Sequence, residues 1–389
     1  MSDEFSVKLL TGLESVPQQQ WNNLTDGSNP FVKYDYLFGL EQFKCLDGHG
    51  WSPRHLAVYA DTTLIGAIPL YLRTNSTGEF VFDWSWADAY EQAVGNYYPK
   101  LVSAIPFAPV IGPRILVNEN NPVRNQIRAM LAKQLVSMTK ESELSSCHAL
   151  FTAELDHVHF QQAGFMPRLT CQFHWQNKNY RDFDDFLDTL VSKKRKQIKR
   201  ERKQVNDQGI EIEVISGKQI TEAHWRSYYP FYSSTFYRRH GEPRLTPEFF
   251  QMLGNKMPDQ TMLILAKQGN AYVAGAFAML GQDTLYGRHW GCNEQFPFLH
   301  FELCYYQTIE FAINHGLQTV DAGVQGEHKI ARGFDPVAAT SYHWLRHAGF
   351  SQAISDFLRR ETIAMNQYLA RLAEQSPYRQ TEPDNIRHE

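Results

Sequence analysis

Two stretches of this chain repeat the same order of strands and turns, and this internal repeat limits the folds available to the chain. Residues 56–86 and residues 263–290 each contain an apolar strand, a polar turn, a second strand with an early glycine, another turn and a third strand that carries tryptophan. A helical pattern and one more strand follow each copy. This order predicts two copies of one α/β domain.

The elements after each copy are predicted from their hydrophobic spacing. Apolar positions recur at three- and four-residue steps in residues 123–139 and again in 299–315, and a short apolar run follows each helix. A chain of 389 residues with 43% hydrophobic residues is long enough to form two packed cores. We therefore predict a mixed α/β fold class with two tandem domains, residues 1–170 and residues 171–389.

The segment that joins the two copies carries a concentrated positive charge. Residues 180–205 place apolar side chains near one helical face, and Glu201 is the one acidic residue among the cations. The predicted phosphate-binding or nucleic-acid-binding side chains are Lys193, Lys194, Arg195, Lys196, Lys199, Arg200, Arg202 and Lys203. Because the net charge of the chain is −4, this basic run is a local feature. It favours a phosphate-rich partner, either RNA, a nucleotide-linked sugar or an anionic membrane surface, and the alternative is a solvated helix face.

A second cationic group follows an aromatic-rich helix. That helix predicts delivery of Arg238 and Arg239 into a turn, with Arg244 just beyond it. Thr246 and Pro247 then begin another helix as its N-cap and first residue. Guanidinium groups bind phosphate and carboxylate oxygens in pairs, so these arginines are candidate substrate-binding residues, with salt bridges inside the protein as the alternative.

A polar loop follows the last strand of the second copy. Alternation along that strand turns Asp321 away from the apolar face, and burying an unpaired carboxylate is costly. Asp321 therefore either pairs with a cation such as Lys329 or Arg332, or faces a cleft. Glu327 and His328 lie just past the strand end, where a general acid or base is expected.

Several other classes of protein are disfavoured. The sequence contains no HExxH or Cys/His ligand pattern, so we predict no metal site. It contains no GxSxG and no GxxxxGK[ST] motif, so neither an α/β-hydrolase nor a P-loop enzyme is indicated. Five scattered cysteines without CxxC indicate reduced thiols. The start predicts no secretory signal, and no apolar run approaches the ~18 residues of a membrane span. These features favour a cytoplasmic protein.

The motifs TLYGRHWG, LHFELCYYQTIEFAI, DAGVQGEHKIARGF and SYHW resemble the FemAB-like proteins of the peptidoglycan biosynthesis/recognition type, a branch of the GNAT acyltransferase superfamily. The resemblance implies two tandem GNAT-like domains and transfer of an acyl or aminoacyl group to an amine. It implies no tightly bound cofactor, since the donor, aminoacyl-tRNA or acyl-CoA, is a co-substrate. The acceptor would be an amine-bearing compound such as a peptidoglycan precursor, and the basic helix would meet tRNA phosphates.

The resemblance also suggests roles for the polar residues. Glu327 or His328 would handle the proton of the amine, Asp321 would orient one of them, and Lys329 and Arg332 would bind a donor or acceptor phosphate. The (Q/R)xxGx(G/A) loop of acetyl-CoA-dependent GNAT enzymes is absent from both copies, which weakens a conventional acetyl-CoA mechanism. An acyl-CoA-dependent N-acetyltransferase of a small molecule and a non-catalytic module that binds RNA or envelope precursors are the alternatives.

Overall fold

Both helices and strands occur in each half of the described chain. The structure, a computed structural model, describes residues 5–379. Its strands are β1 (Phe5–Leu10), β2 (Trp51–Pro53), β3 (His55–Ala60), β4 (Thr63–Ile68), β5 (Tyr71–Arg73), β6 (Lys100–Ser103), β7 (Ser146–Ala149), β8 (Met166–Gln176), β9 (Ile210–Ser216), β10 (Thr261–Gln268), β11 (Ala271–Leu280), β12 (Thr284–Cys292), β13 (Thr319–Asp321) and β14 (Asp335–Leu345). Its α-helices are α1 (Gln18–Asn22), α2 (Tyr34–Gln42), α3 (Trp84–Ala93), α4 (Arg124–Glu141), α5 (Glu154–Gln162), α6 (Phe183–Asp188), α7 (Ser192–Asp207), α8 (Glu222–Tyr237), α9 (Pro247–Lys256), α10 (Leu299–Phe301), α11 (Gln307–Asn314) and α12 (Ala348–Ala373). A π-helical turn (Glu302–Tyr306) joins α10 to α11, and a 3-10 helix (Glu327–Arg332) follows β13.

One large mixed sheet runs through both halves of the protein. Its eleven strands lie in the order β2-β5-β6-β7-β14-β8-β13-β12-β11-β10-β9. Two neighbouring pairs, β6 with β7 and β12 with β13, are parallel, and the other pairs are antiparallel. A separate antiparallel sheet contains β1, β3 and β4. The mixed α/β fold class is therefore confirmed.

The two halves, β1 to β8 and β9 to β14, exchange strands at the centre of the sheet. Strand β14 of the second half pairs with β7 of the first, and β8 of the first half pairs with β13 of the second. The two exchanged strands also pair with each other over most of their lengths, from Asp335 opposite His174 to His343 opposite Met166. The boundary predicted between residues 170 and 171 lies inside β8, so this division into domains stays a prediction.

The third strand predicted for the first copy is wrong. Residues 79–83 form no strand, and α3 begins at Trp84. Two carboxylates of this segment are buried in ion pairs: Glu79 accepts from Arg73 and Lys100, and Asp83 accepts from Lys100 at 2.5 Å. The alternating aromatic residues are typical of a strand, but the ion pairs of Glu79 and Asp83 stabilise an irregular backbone instead.

The single helix predicted between the copies is divided in two. The break between α6 and α7 falls where Leu190 forms a β-bridge with Tyr378 and the Val191 backbone N–H donates to the carbonyl of Pro377. The chain leaves the helix there in order to pair with the segment after α12. Elsewhere the predicted helix at residues 123–139 is confirmed as α4, and Thr246 caps α9 by accepting from the Phe249 N–H at 3.2 Å. Among the described helices, none is both long and apolar enough to span a bilayer.

Candidate active site

A cavity of about 570 Å³ lies between the large sheet and the helical segment α10–α11. We call it the inner cavity. It is lined by Thr235, Arg239, Ile264, Ala276, Phe277, Ala278, Gly287, Arg288, His289, Trp290, His300, Cys304, Tyr305, Thr308, Ala322, Gln325, Gly326, His328 and Lys329. The lining therefore includes His328 and Lys329 of the loop predicted to be functional, but not Glu327 or Arg332.

The inner cavity exists because two parallel strands separate. Strands β12 and β13 pair only from Thr284 opposite Thr319 to Tyr286 opposite Asp321. Beyond this point β12 continues to Cys292, while the chain after Asp321 turns into a loop and the 3-10 helix. The gap between them opens at the carboxyl ends of both strands, where α/β folds commonly bind ligands.

Arg288 is placed in this gap by a β-bulge. His289 lies opposite Phe277 and Gly287 lies opposite Ala278, so Arg288 is the extra residue on β12. Bulges are enriched beside active sites, where they redirect a side chain. The Arg288 side chain is only 5% exposed, and its Nε has no hydrogen-bond partner among the described residues. Sequence analysis missed this residue.

Asp321 holds Arg288 in position. Its Oδ2 accepts a hydrogen bond from Arg288 Nη2 at 2.9 Å, and its Oδ1 accepts one from the Gly323 backbone N–H at 2.7 Å. The ion-pair partner of this buried carboxylate is therefore Arg288, whereas the sequence suggested Lys329 or Arg332. Asp321 makes no hydrogen bond to Glu327 or His328 in the described chain, so it orients an arginine of the cavity wall.

Lys329 is buried at the edge of the inner cavity. Its Nζ donates to the carbonyl oxygen of Ala322 at 2.6 Å. Burial lowers the pKa of Lys329 to about 8, partly opposed by the nearby charge of Asp321. An amine with this pKa exists in both protonation states near neutral pH, as proton transfer requires.

A second cavity of about 560 Å³, which we call the cleft, lies between the two halves. It is lined by Phe80, Phe82, Phe107, Pro109, Tyr232, Thr235, Phe236, Arg239, Gly241, Arg244, Gly287, Arg288, His289, Ala322, Gly323, Val324, Gln325 and Lys329. Lys329, Arg288 and Arg239 line both the cleft and the inner cavity. The two spaces therefore meet at these cations.

The predicted arginines near α8 contribute unequally. Arg239 is exposed and lines both spaces, and Arg244 lines the cleft with its guanidinium 5.3 Å from the ring centre of Phe107. Arg238 instead donates to the carbonyl oxygens of Cys292 and Asn293 at the end of β12. Arg239 and Arg244 thus reach the cleft, whereas Arg238 fastens α8 to the sheet.

Glu327 and His328 face different spaces. Glu327 is exposed, accepts a hydrogen bond from the Tyr368 hydroxyl at 2.7 Å, and lines an outer groove of about 400 Å³. The groove is lined by Phe80, Phe82, Thr170, Cys171, Phe173, Val324, Gln325, Gly326, Glu327, Met365 and Tyr368. His328 lines the inner cavity, with Nε2 2.9 Å from the Tyr305 hydroxyl. Burial, followed by Arg332 and Lys329, lowers the pKa of His328.

Arg332 is engaged inside the protein. Its Nη2 lies 2.9 Å from both carboxylate oxygens of Glu201, its Nε donates to the Tyr306 hydroxyl at 3.0 Å, and its Nη1 donates to the His328 carbonyl at 2.8 Å. The guanidinium also lies 3.4 Å from the ring centre of Phe301. These contacts give Arg332 a structural position under the loop and connect that loop to α7.

The basic helix α7 is partly neutralised by its neighbours. Arg195 pairs with Asp188, and Lys199 pairs with Asp184, both at exposed positions. Arg202 pairs with Glu302 of the π-helical turn and with Glu310 of α11. Within residues 5–379, the cations of α7 without an ion pair are Lys193, Lys194, Lys196, Arg200 and Lys203. The cations of α7 are absent from the linings of the inner cavity, the cleft and the outer groove.

The described part of the chain contains no group of three or more His, Cys, Asp or Glu side chains that could hold a metal ion.

The sequence pattern of the FemAB-like family, described as peptidoglycan biosynthesis/recognition, matches residues 12–380. The chain belongs to the FemAB-like family. A search of curated proteins found no match. Because the family match covers both halves, the strand exchange and the adjoining cavities all lie within the matched region.

Two solved structures are similar to this chain at low sequence identity. FemX is 11% identical, has a TM-score of 0.52, and the alignment covers 87% of this chain and 98% of FemX. L-PGS from Bacillus licheniformis is also 11% identical, with a TM-score of 0.49 and coverage of 87% and 96%. The likeness to FemX confirms the tandem GNAT-like architecture of this FemAB-like protein. Family and fold together support an acyl or aminoacyl transferase, without identifying its donor or acceptor.

Proposed function

We propose that this FemAB-like protein transfers an acyl or aminoacyl group to an amine at the junction of the inner cavity and the cleft. The observation that carries the proposal is the meeting of two cavities at a buried lysine and a buried arginine, Lys329 and Arg288. The inner cavity would hold the acyl part of the donor, and the cleft would hold the acceptor. A peptidoglycan precursor is the acceptor that the family description suggests.

Two positioned groups can carry out such a transfer. The acceptor amine attacks the carbonyl carbon, a C–N bond forms, and the C–O or C–S bond of the donor breaks. Neutral Lys329 takes the proton of the attacking amine and passes it to the leaving group. Arg288, fixed by Asp321, stabilises the negative charge that develops on the carbonyl oxygen.

The walls of the cleft suit an acceptor that has both anionic and apolar parts. Arg239 and Arg244 offer guanidinium groups for phosphate or carboxylate oxygens. Phe80, Phe82 and Phe107 supply aromatic surface from the first half. Both halves would therefore contribute to acceptor binding.

His328 is the second proposed proton carrier. It lines the inner cavity beside Lys329, and its contact with the Tyr305 hydroxyl orients the ring. Glu327 lies in the outer groove, where it would contact a distant part of the acceptor. The exposed cations of α7 would meet the phosphates of an RNA-linked donor.

The experiment measures kcat/KM against pH for the wild-type protein, Lys329→Met and Lys329→Arg, with aminoacyl-tRNA and acyl-CoA donors. If neutral Lys329 is the base, the rate rises with pH and levels off above an apparent pKa of about 8. Lys329→Met should lose this dependence and about 10²-fold to 10⁴-fold of the rate. The exposed Lys133→Met variant, on α4 and outside the linings of the cavities, is the control and should behave as wild type.

Full turnover by Lys329→Met at every pH would remove Lys329 as the base. The same measurements with His328→Ala would then test the second carrier. Tight binding of a precursor or RNA without turnover of any donor would instead support a non-catalytic binding module.

A further inference from the structure

We propose that the inner cavity selects an uncharged acyl chain of several carbons over an aminoacyl group, and that Ala276 and Ala278 set the accepted chain length. This inference rests on the proposed acyl transfer and concerns the donor that the same site uses.

The walls of the inner cavity are apolar because small side chains line the sheet. Ala276 and Ala278 are buried on one face of β11, and Ile264 lies beside them on β10. From the facing helix come Cys304, which packs as a small hydrophobic residue, and Thr308. The Thr308 hydroxyl donates to a backbone carbonyl of its own helix, so its polar end is satisfied there. Two alanines therefore leave the space that larger strand residues would fill.

The described lining of the inner cavity contains no carboxylate that could pair with an ammonium group. Within the described chain, no Asp or Glu lines it. Both oxygens of Asp321 are occupied by Arg288 and Gly323. Glu327 lines the outer groove instead. The α-ammonium of an aminoacyl group would enter this cavity without a counter-charge.

The charged groups of the lining are cations. Arg288 and Arg239 line the cavity and would repel an ammonium group, even when Lys329 is neutral. Burial lowers the pKa of His289 to about 3 and that of His300 to about 4, so both rings are neutral near pH 7. An uncharged chain avoids both the repulsion and the cost of burying an unpaired charge.

Arg288 is the observation that points to a ligand independently of cavity shape. Its side chain is 5% exposed and lines the cavity. Its Nε has no hydrogen-bond partner among residues 5–379. A buried guanidinium donor without an acceptor is unfavourable unless a ligand oxygen completes it. The carbonyl oxygen of the acyl group fits this role and would place the carbonyl carbon near Lys329, with the chain running toward Ala276 and Ala278.

The reaction with such a donor balances without another reactant. The acceptor amine forms the C–N bond with the acyl carbon, and the C–S bond of the thioester breaks. The proton of the amine moves to Lys329 and then to the departing thiolate. The products are an amide and a thiol.

The first test uses a matched pair of thioesters. Propionyl- and alanyl-N-acetylcysteamine differ only by the α-amino group, so their ratio of kcat/KM isolates the effect of the ammonium. We expect the propionyl donor to be better by on the order of 100-fold. A parallel series of acyl-CoA thioesters shows whether a phosphate-bearing carrier adds affinity.

The second test varies chain length from acetyl to dodecanoyl with wild type, Ala278→Leu and Ala276→Leu. Each methylene that fits should raise kcat/KM by about fourfold, until the cavity is full. The leucine variants should reach that limit at shorter chains. Ala271→Leu, at the exposed start of β11, is the control and should leave the limit unchanged. If a leucine variant fails to fold, Ala278→Val supplies a milder change.

The outcomes of these tests distinguish a failure of the inference from a failure of the proposed function. Preference for the alanyl donor, or for aminoacyl-tRNA over all acyl thioesters, overturns the inference while acyl transfer at this site survives. A chain-length limit that does not move in folded variants removes Ala276 and Ala278 as its determinants. Absence of both turnover and calorimetric binding with every donor overturns the proposed function together with the inference.

Discussion

Glu201 is expected to be one of the most important residues for the stability of this fold, although it lies on an otherwise basic helix. Its side chain is 2% exposed and holds Arg332, itself 4% exposed. Tyr306 and Gln197 also donate to its carboxylate. The variant Glu201→Gln keeps the shape but removes the charge, which leaves a buried arginine unpaired. Breaking a buried ion pair in this way costs about 3–5 kcal/mol.

The measurement is the free energy of unfolding from urea titration. Asp184→Asn is the matched control because its partner Lys199 lies on the same helix, with the two side chains 75% and 56% exposed. An exposed pair contributes only about 0–1 kcal/mol, so the two variants should differ clearly. Equal urea midpoints for Glu201→Gln and Asp184→Asn would refute the assignment of Arg332 to a structural role.

A double variant separates charge from packing. Glu201→Leu combined with Arg332→Met removes both charges, and such replacements of buried pairs are often neutral or stabilising. The double variant should therefore recover most of the stability lost in Glu201→Gln. If it remains equally unstable, the loss came from packing or from the Tyr306 contact.

Three further predictions address the site, the basic helix and the first half. Asp321→Asn should lower kcat/KM on the order of 10-fold to 100-fold by releasing Arg288, with KM changing less than kcat, whereas the exposed Asp283→Asn should have no effect in the same assay. Charge reversal of the unpaired cations of α7 should abolish any RNA binding. The affinity of the wild-type protein should fall by roughly 0.7 log units per log unit of salt for each phosphate neutralised, and salt-independent binding in a filter assay would contradict an RNA interface. Lys100→Met leaves the buried carboxylate of Asp83 without its lysine and leaves Glu79 with Arg73 alone, so it should destabilise the protein by about 3–5 kcal/mol in urea unfolding, and an unchanged midpoint would show that this network contributes little.

The overall architecture could be predicted because it depends on local periodicity. The repeated strands of the second copy, the helix at residues 123–139 and the polar loop after β13 all follow from spacing of apolar residues along the chain. The strand predicted before Trp84 failed because the pairing of Glu79 and Asp83 with buried cations depends on contacts with β5 and β6, which no local pattern reveals.

The site was harder to predict because its central residue depends on strand register. Arg288 enters the cavity only because β12 contains one more residue than β11 opposite it. A useful signal was available in the sequence, since an arginine interrupts a strand between Gly287 and Gly291. Glu201 interrupts the basic run in the same way. Its carboxylate binds Arg332, and this contact connects α7 to the loop after β13. Single charged residues that break a local pattern were the most informative positions.

The strand exchange has a consequence for how substrates enter. Rotation of one half against the other would break the hydrogen bonds between β7 and β14 and between β8 and β13, and strand pairs of this kind are strongly favoured over unpaired backbone. The strand exchange therefore opposes a hinge motion between the two halves that would change the width of the cleft. We therefore expect donor and acceptor to bind without a rotation of one half against the other.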